Sequence, residues 1–150
     1  MRLRHLIAAA TIVASIHIHA AEETYGPYKA QVIRVKDGDT VLLDVRIWPG
    51  LTQRISLRLD GVNTPEKRGK GVTECEKKAG QKATNFTQRF LKGVETVIVR
   101  GVRRGKYAGR VLGRIEVPGK GDLGQALIRA GLARPYDGGK RAPWCTVTGS

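Results

Sequence analysis

Histidine occurs only as His5, His17 and His19, and none follows. If the first 20 residues are a leader that is removed, imidazole chemistry leaves with them. Ser-His-Asp triads, histidine-activated cysteines, histidine-paired phosphodiester cleavage and most zinc sites are then excluded. Serine is nearly as scarce, with only Ser56 and Ser150 after the leader. A general base must therefore be a carboxylate, a lysine or a tyrosine. Cysteine is limited to Cys75 and Cys145, and no internal repeat or second domain is visible. The apolar run from Leu6 to Ile18 is interrupted by Thr11, Ser15 and His17. It is shorter than the roughly 20 residues of a membrane span.

What is present begins with that leader. Arg2 and Arg4 precede the apolar run, and Ala20 and Ala21 supply small residues for cleavage. The pattern is that of a secretory signal peptide over 1–20, cut after Ala20, with a retained membrane anchor as the alternative. Residues 21–150 then form one domain, with 137–150 as a tail. It is long enough to bury roughly two-thirds of its unfolded surface. Without Arg2 and Arg4, 25 basic residues face 13 acidic ones, a formal charge of +12. Such an excess attracts polyanions in a salt-sensitive way. Export, to the periplasm or beyond the cell, meets oxidising conditions, so Cys75 and Cys145 are expected to pair. Two separate buried thiols are the alternative.

Periodicity predicts strands over 28–36, 41–47 and about 54–60, joined by the turns DGDT (Asp37 to Thr40) and Pro49-Gly50. In the second, Val41, Leu43, Val45 and Ile47 share a face. A basic loop, 61–72, leads to a helix. Thr73 and Glu76 form a capping box, Cys75, Ala79, Ala83, Phe86 and Phe90 line the buried edge, and Gly93 is the stop. Strands over 95–102 and 110–117 follow, then a short helix capped by Asp122 and ended at Gly131. This is an α+β, mainly β pattern. A five-stranded OB-fold barrel, with a helix between strands three and four and a short C-terminal helix, satisfies it and removes sheet edges.

The chemistry concentrates in RLDGVNTPE, Arg58 to Glu66. Arg58 projects from a strand opposite to Leu57 and Leu59, and the chain breaks at Gly61 and stiffens at Pro65. Glu66 follows on the loop as candidate base. Taken singly, each motif has a plainer explanation: Asp-Gly is a common hairpin signal, and Glu66 could pair with Lys67 or Arg68.

In order, DGDT, RLDGVNTPE and KYAGR, followed by ALIRAGLA, resemble the staphylococcal nuclease (thermonuclease) family from about Tyr28 to Tyr136. The resemblance implies an OB barrel and calcium-dependent hydrolysis of DNA and RNA, leaving a 3′-phosphate and a 5′-hydroxyl. By motif position, the phosphate-binding arginines fall on Arg58 and Arg110, and the catalytic glutamate on Glu66. The metal ligands fall on Asp39, Asn63 and the Thr64 carbonyl, with Asp37 acting through water. Asn63 stands where the family has aspartate, which removes one negative charge. Weaker calcium binding, or tolerance of other divalent cations, is expected. Lys106, Tyr107 and Tyr136 are candidate substrate contacts, by a terminal phosphate and by stacking. KYAGR is one residue longer than the family's usual turn, and the tail offers no counterpart to transfer.

Two functions fit this pattern. One is an exported, monomeric, low-specificity metal-dependent nuclease that leaves the membrane on cleavage. The other is a non-catalytic OB module binding nucleic acid on the same basic face.

Overall fold

The computed structural model describes residues 23–106 and 109–145. The expected signal peptide and its expected cleavage point, Tyr107 and Ala108 of KYAGR, and the end of the tail lie outside the described residues. Strands β1 (Tyr28–Asp37), β2 (Thr40–Trp48) and β3 (Leu51–Leu59) form an antiparallel meander. β4 (Val62–Asn63) follows, then helix α1 (Glu74–Leu91). β5 (Val97–Arg104) and β6 (Arg110–Val117) form a second antiparallel pair, and β7 (Gly121–Asp122), α2 (Leu123–Arg129) and β8 (Arg134–Pro135) complete the order.

β1 pairs with β5 at one side of the meander, and β3 pairs with β6 in parallel at the other. The sheet closes on itself as the five-stranded OB-type barrel β1-β2-β3-β6-β5, flanked by two helices. Closure leaves no long sheet edge to attract foreign strands. Alternate side chains fill the interior: Val41, Leu43 and Val45 of β2, Leu57 and Leu59 of β3, Val97 and Val99 of β5, Ile115 and Val117 of β6. Leu91 of α1 and Leu123 and Leu127 of α2 extend the same core. Ile47 departs from the expected face and is 44% exposed. It lies where β2 and β3 run past the barrel into their turn, beside exposed Trp48 and Leu51.

The start of α1 follows the capping expectation only by half. Thr73 Oγ1 accepts from the Glu76 N–H at 3.2 Å. The Glu76 carboxylate instead accepts from the Glu66 N–H at 3.3 Å, so it braces a neighbouring loop. The buried edge also differs: Gly80, Ala83, Thr84, Thr87 and Leu91 face inward, while Cys75 is exposed and Phe86 and Phe90 are half-buried. The two threonines are buried because their hydroxyls are satisfied, Thr84 on the Gly80 carbonyl and Thr87 on the Gly38 carbonyl at 2.7 Å. Among the described residues no helix is long and apolar enough to cross a membrane.

Cys75 and Cys145 form a disulfide across a sequence separation of 70, tying the first turn of α1 to the tail. Loop-closure entropy for such a span is worth about 4 kcal/mol. Replacing both cysteines with serine should lower the urea midpoint accordingly, and an unchanged midpoint would remove the bond from the sources of stability.

Candidate active site

Leu57 and Leu59 point into the core, so Arg58 must emerge on the outer face of β3. It is nevertheless only 9% exposed, because the β1–β2 turn and segment 62–64 cover it. β2 and β3 are in register with Thr40 opposite Arg58, which sets the DGDT turn beside the guanidinium. Nη1 of Arg58 donates to Asp39 Oδ1 at 2.7 Å, and Nη2 donates to Asn63 Oδ1 at 3.1 Å. Asp39 Oδ1 also accepts from Thr40 Oγ1, and its Oδ2 accepts from the Thr64 N–H at 3.1 Å. Asp39 is 2% exposed. A carboxylate that deeply buried persists as an ion only when paired and hydrogen-bonded in this way. The turn can sit so close because Gly38 has no side chain; a Cβ there would lie 2.7 Å from that of Ala83.

Asn63 and Thr64 are placed by β4, whose partner is β8: Val62 lies opposite Pro135 and Asn63 opposite Arg134. Arg110 opens β6 with its Cα opposite Ser56 in the parallel ladder. Ser56 and Arg58 share a strand face, so the register puts Arg110 on the Arg58 side of the barrel wall. Lys36 reaches the same strip, donating to Ser56 Oγ at 3.0 Å.

Glu66 follows Pro65 and is pressed against α1. A Cβ on Gly80 would lie 2.7 Å from the Pro65 carbonyl oxygen, so only glycine admits the loop. The Glu66 side chain meets neither Lys67 nor Arg68. Its Oε1 accepts from Nη1 of Arg141 at 2.5 Å. Burial works against the charge on Arg141, but its bonds to Glu66 and then Tyr136 outweigh that and raise its pKa above the ordinary arginine value. Lys67 instead donates to the Lys36 carbonyl at 2.7 Å and lies 3.5 Å from the Asp37 carboxylate.

Among the sequence-derived substrate contacts, Tyr136 is tied to the site: its N–H donates to the Gly61 carbonyl at 3.0 Å. It borders an open cavity of about 470 Å³ together with Asn63, Arg134, Lys140 and Arg141. Lys106 is exposed in the β5–β6 connection. Tyr107 lies outside the described residues. Arg141 and Gly80 belong to the site without having been singled out in the sequence, and Glu76, expected only as a cap of α1, joins it through the Glu66 N–H. The cue for Arg141 was its place four residues before Cys145, whose pairing with Cys75 brings the tail toward Glu66.

Among the described residues no three histidine, cysteine, aspartate or glutamate side chains cluster as a metal centre. Of the expected ligands, Asp39 and Asn63 each set an Oδ1 on the Arg58 guanidinium, and Thr64 is tied to Asp39 through its N–H. This set is all-oxygen with one full carboxylate, which fits a hard divalent cation held weakly.

A family model described as staphylococcal nuclease homologue matches residues 56–143. The chain belongs to that family. Within the staphylococcal nuclease span lie Arg58, Asn63, Glu66, Arg110 and Tyr136, whereas the DGDT turn precedes it. The chain is similar to a thermonuclease of Staphylococcus hyicus, 32% identical over 140 residues, covering 86% of this chain and 76% of the relative. It is also similar to an uncharacterized endonuclease of Escherichia coli, 31% identical over 108 residues and 71% of this chain. The chain spans 60% of the length of that relative.

Removing one member of the buried ion pair strands the other. Arg58→Ala should lower the unfolding free energy by about 3–5 kcal/mol in urea melts. Adding Asp39→Ala should cost much less than the sum of the single losses. Strict additivity would mean that the two side chains act independently.

Proposed function

We propose that this chain is an exported, divalent-metal-dependent nuclease that hydrolyses phosphodiester bonds of DNA and RNA with little sequence preference. The observation that carries this reading is the bonded set Arg58–Asp39–Asn63–Thr64, with Arg110 in register on the adjoining strand and Glu66 two residues beyond Thr64. A binding module needs a basic face, but has no use for a carboxylate base held beside it. Membership of the staphylococcal nuclease family and the names of the relatives support the same reading. The disulfide supports export, because such bonds persist in oxidising compartments.

In this reading Arg58 and Arg110 grip the phosphate. Two of the five guanidinium N–H groups of Arg58 are directed to Asp39 and Asn63, which fixes the plane of the fork. The rest of the fork, with that of Arg110, meets non-bridging oxygens and stabilises the charge that builds on them. Glu66 accepts a proton from the attacking water, and the water oxygen forms the new bond to phosphorus as the ester oxygen departs. A hard divalent cation, calcium by family likeness, would be held by Asp39, Asn63 and Thr64, with Asp37 nearby in sequence, and would polarise the phosphoryl group. Tyr136 and Lys106 contact the flanking nucleotides, and the net positive charge draws in the polyanion.

Denatured DNA and RNA should be degraded with added calcium and protected by a chelator. Glu66→Gln should lose about 10²-fold or more in rate while still retarding DNA in a gel. Cleavage at the parental rate would dismiss Glu66 as the base. Binding without cleavage in every divalent cation tested would favour the non-catalytic module.

A further inference from the structure

We propose that Arg141 is a positioning residue for Glu66, carried to it by the disulfide-tied tail; this rests on the nuclease reading above. After β8 the chain has no helix or strand through Cys145, yet it is fastened on both sides of Arg141. Upstream, Tyr136 is held to Gly61 through its N–H. Downstream, Pro143 accepts from Arg134 Nη1 at 3.0 Å, and the same guanidinium lies 4.1 Å over the Trp144 ring. Cys145 is then bonded to Cys75 at the first turn of α1. Gly61 precedes Glu66 in sequence and Cys75 follows it, so the tail bridges the two flanks of the loop that carries the base.

Arg141 projects from this bridge, its guanidinium 5.7 Å from the Tyr136 ring and bonded to Glu66 Oε1. Glu66 is thereby held at both ends: its N–H by Glu76, its carboxylate by Arg141. The two paired side chains are 42% and 39% exposed. Pairs so wet add little to stability, and Glu66 without its partner would be a loop carboxylate with rotamers to spare. What the contact does supply is direction. Arg141 takes Oε1, and Oε2 is the oxygen presented to a water molecule. The placement of a base within a fraction of an ångström governs rate more than affinity.

The test is a steady-state comparison on a short fluorophore-labelled single-stranded oligodeoxynucleotide at saturating calcium. Arg141→Ala should lower kcat by about tenfold to 10²-fold, leave KM within about twofold, and be largely restored by Arg141→Lys. Where Arg141→Ala also lowers the urea midpoint, Arg141→Gln replaces it. In a Glu66→Gln background Arg141→Ala should cause no further loss, because the residue acts only through Glu66. A raised KM at constant kcat would make Arg141 a substrate contact and overturn the proposal. A raised kcat would make the contact inhibitory, and a further loss in the Glu66→Gln background would mean an independent action; either overturns it too. A Glu66→Gln variant as fast as the parent would instead sink the base assignment, a separate and earlier failure.

Discussion

Burying a guanidinium beside a carboxylate is the constraint from which most of this structure follows. Neither Arg58 nor Asp39 could leave water alone, and as a pair they still need further hydrogen-bonding partners. Three segments meet that need at once: the DGDT turn, the end of β3, and the adjacent Asn63 and Thr64. The turn must come within contact of α1, which requires Gly38, and the following loop must lie flat on the helix, which requires Gly80. Well-packed apolar side chains could serve stability as well. The retention of an ion pair here is explained by the site that it organises.

The five barrel strands, their turns and both helix N-caps were legible because each is a local consequence of sequence, read over a few residues. The β6 bounds, 110–117, and the N-cap at Asp122 needed no tertiary information. Less legible were features set by distant partners. Thr84 and Thr87 look polar in a helical wheel, yet become interior once their hydroxyls find carbonyls. Ile47 looks like a core residue, yet its strand outruns the barrel. The partner of Glu66 lies 75 residues away and is delivered by a cross-link. The neighbouring Lys67 is nearer along the chain, but its ammonium bonds to the Lys36 carbonyl instead. At the candidate site, position in a motif singled out Arg58, Asp39 and Asn63; only the fold shows the last two bonded to the first.

Charge is organised unevenly over the surface. Many of the scarce carboxylates are matched to arginine or lysine: Asp44 with Arg54, Asp60 with Arg103, Glu74 with Lys77, Glu116 with Arg100. The Arg54 guanidinium holds the half-buried Asp44 carboxyl below its ordinary pKa, although Arg54 itself is exposed. Such pairs contribute little to stability. They do, however, use up much of the negative charge locally, so the surplus of lysine and arginine dominates the field at longer range. That field weakens as ionic strength shortens the screening length.

The parallel ladder that seals the barrel has a kinetic corollary. Ser56 and Arg110 face each other across a stretch of chain that holds the helix and β5. Contacts between such remote stretches of chain slow the search for the native state. Until they form, β3 and β6 each present an unfinished rim, the kind of surface that templates self-association in partly folded intermediates. Arg110 and Arg114 stand along β6, where like-charge repulsion between nascent chains would oppose clumping.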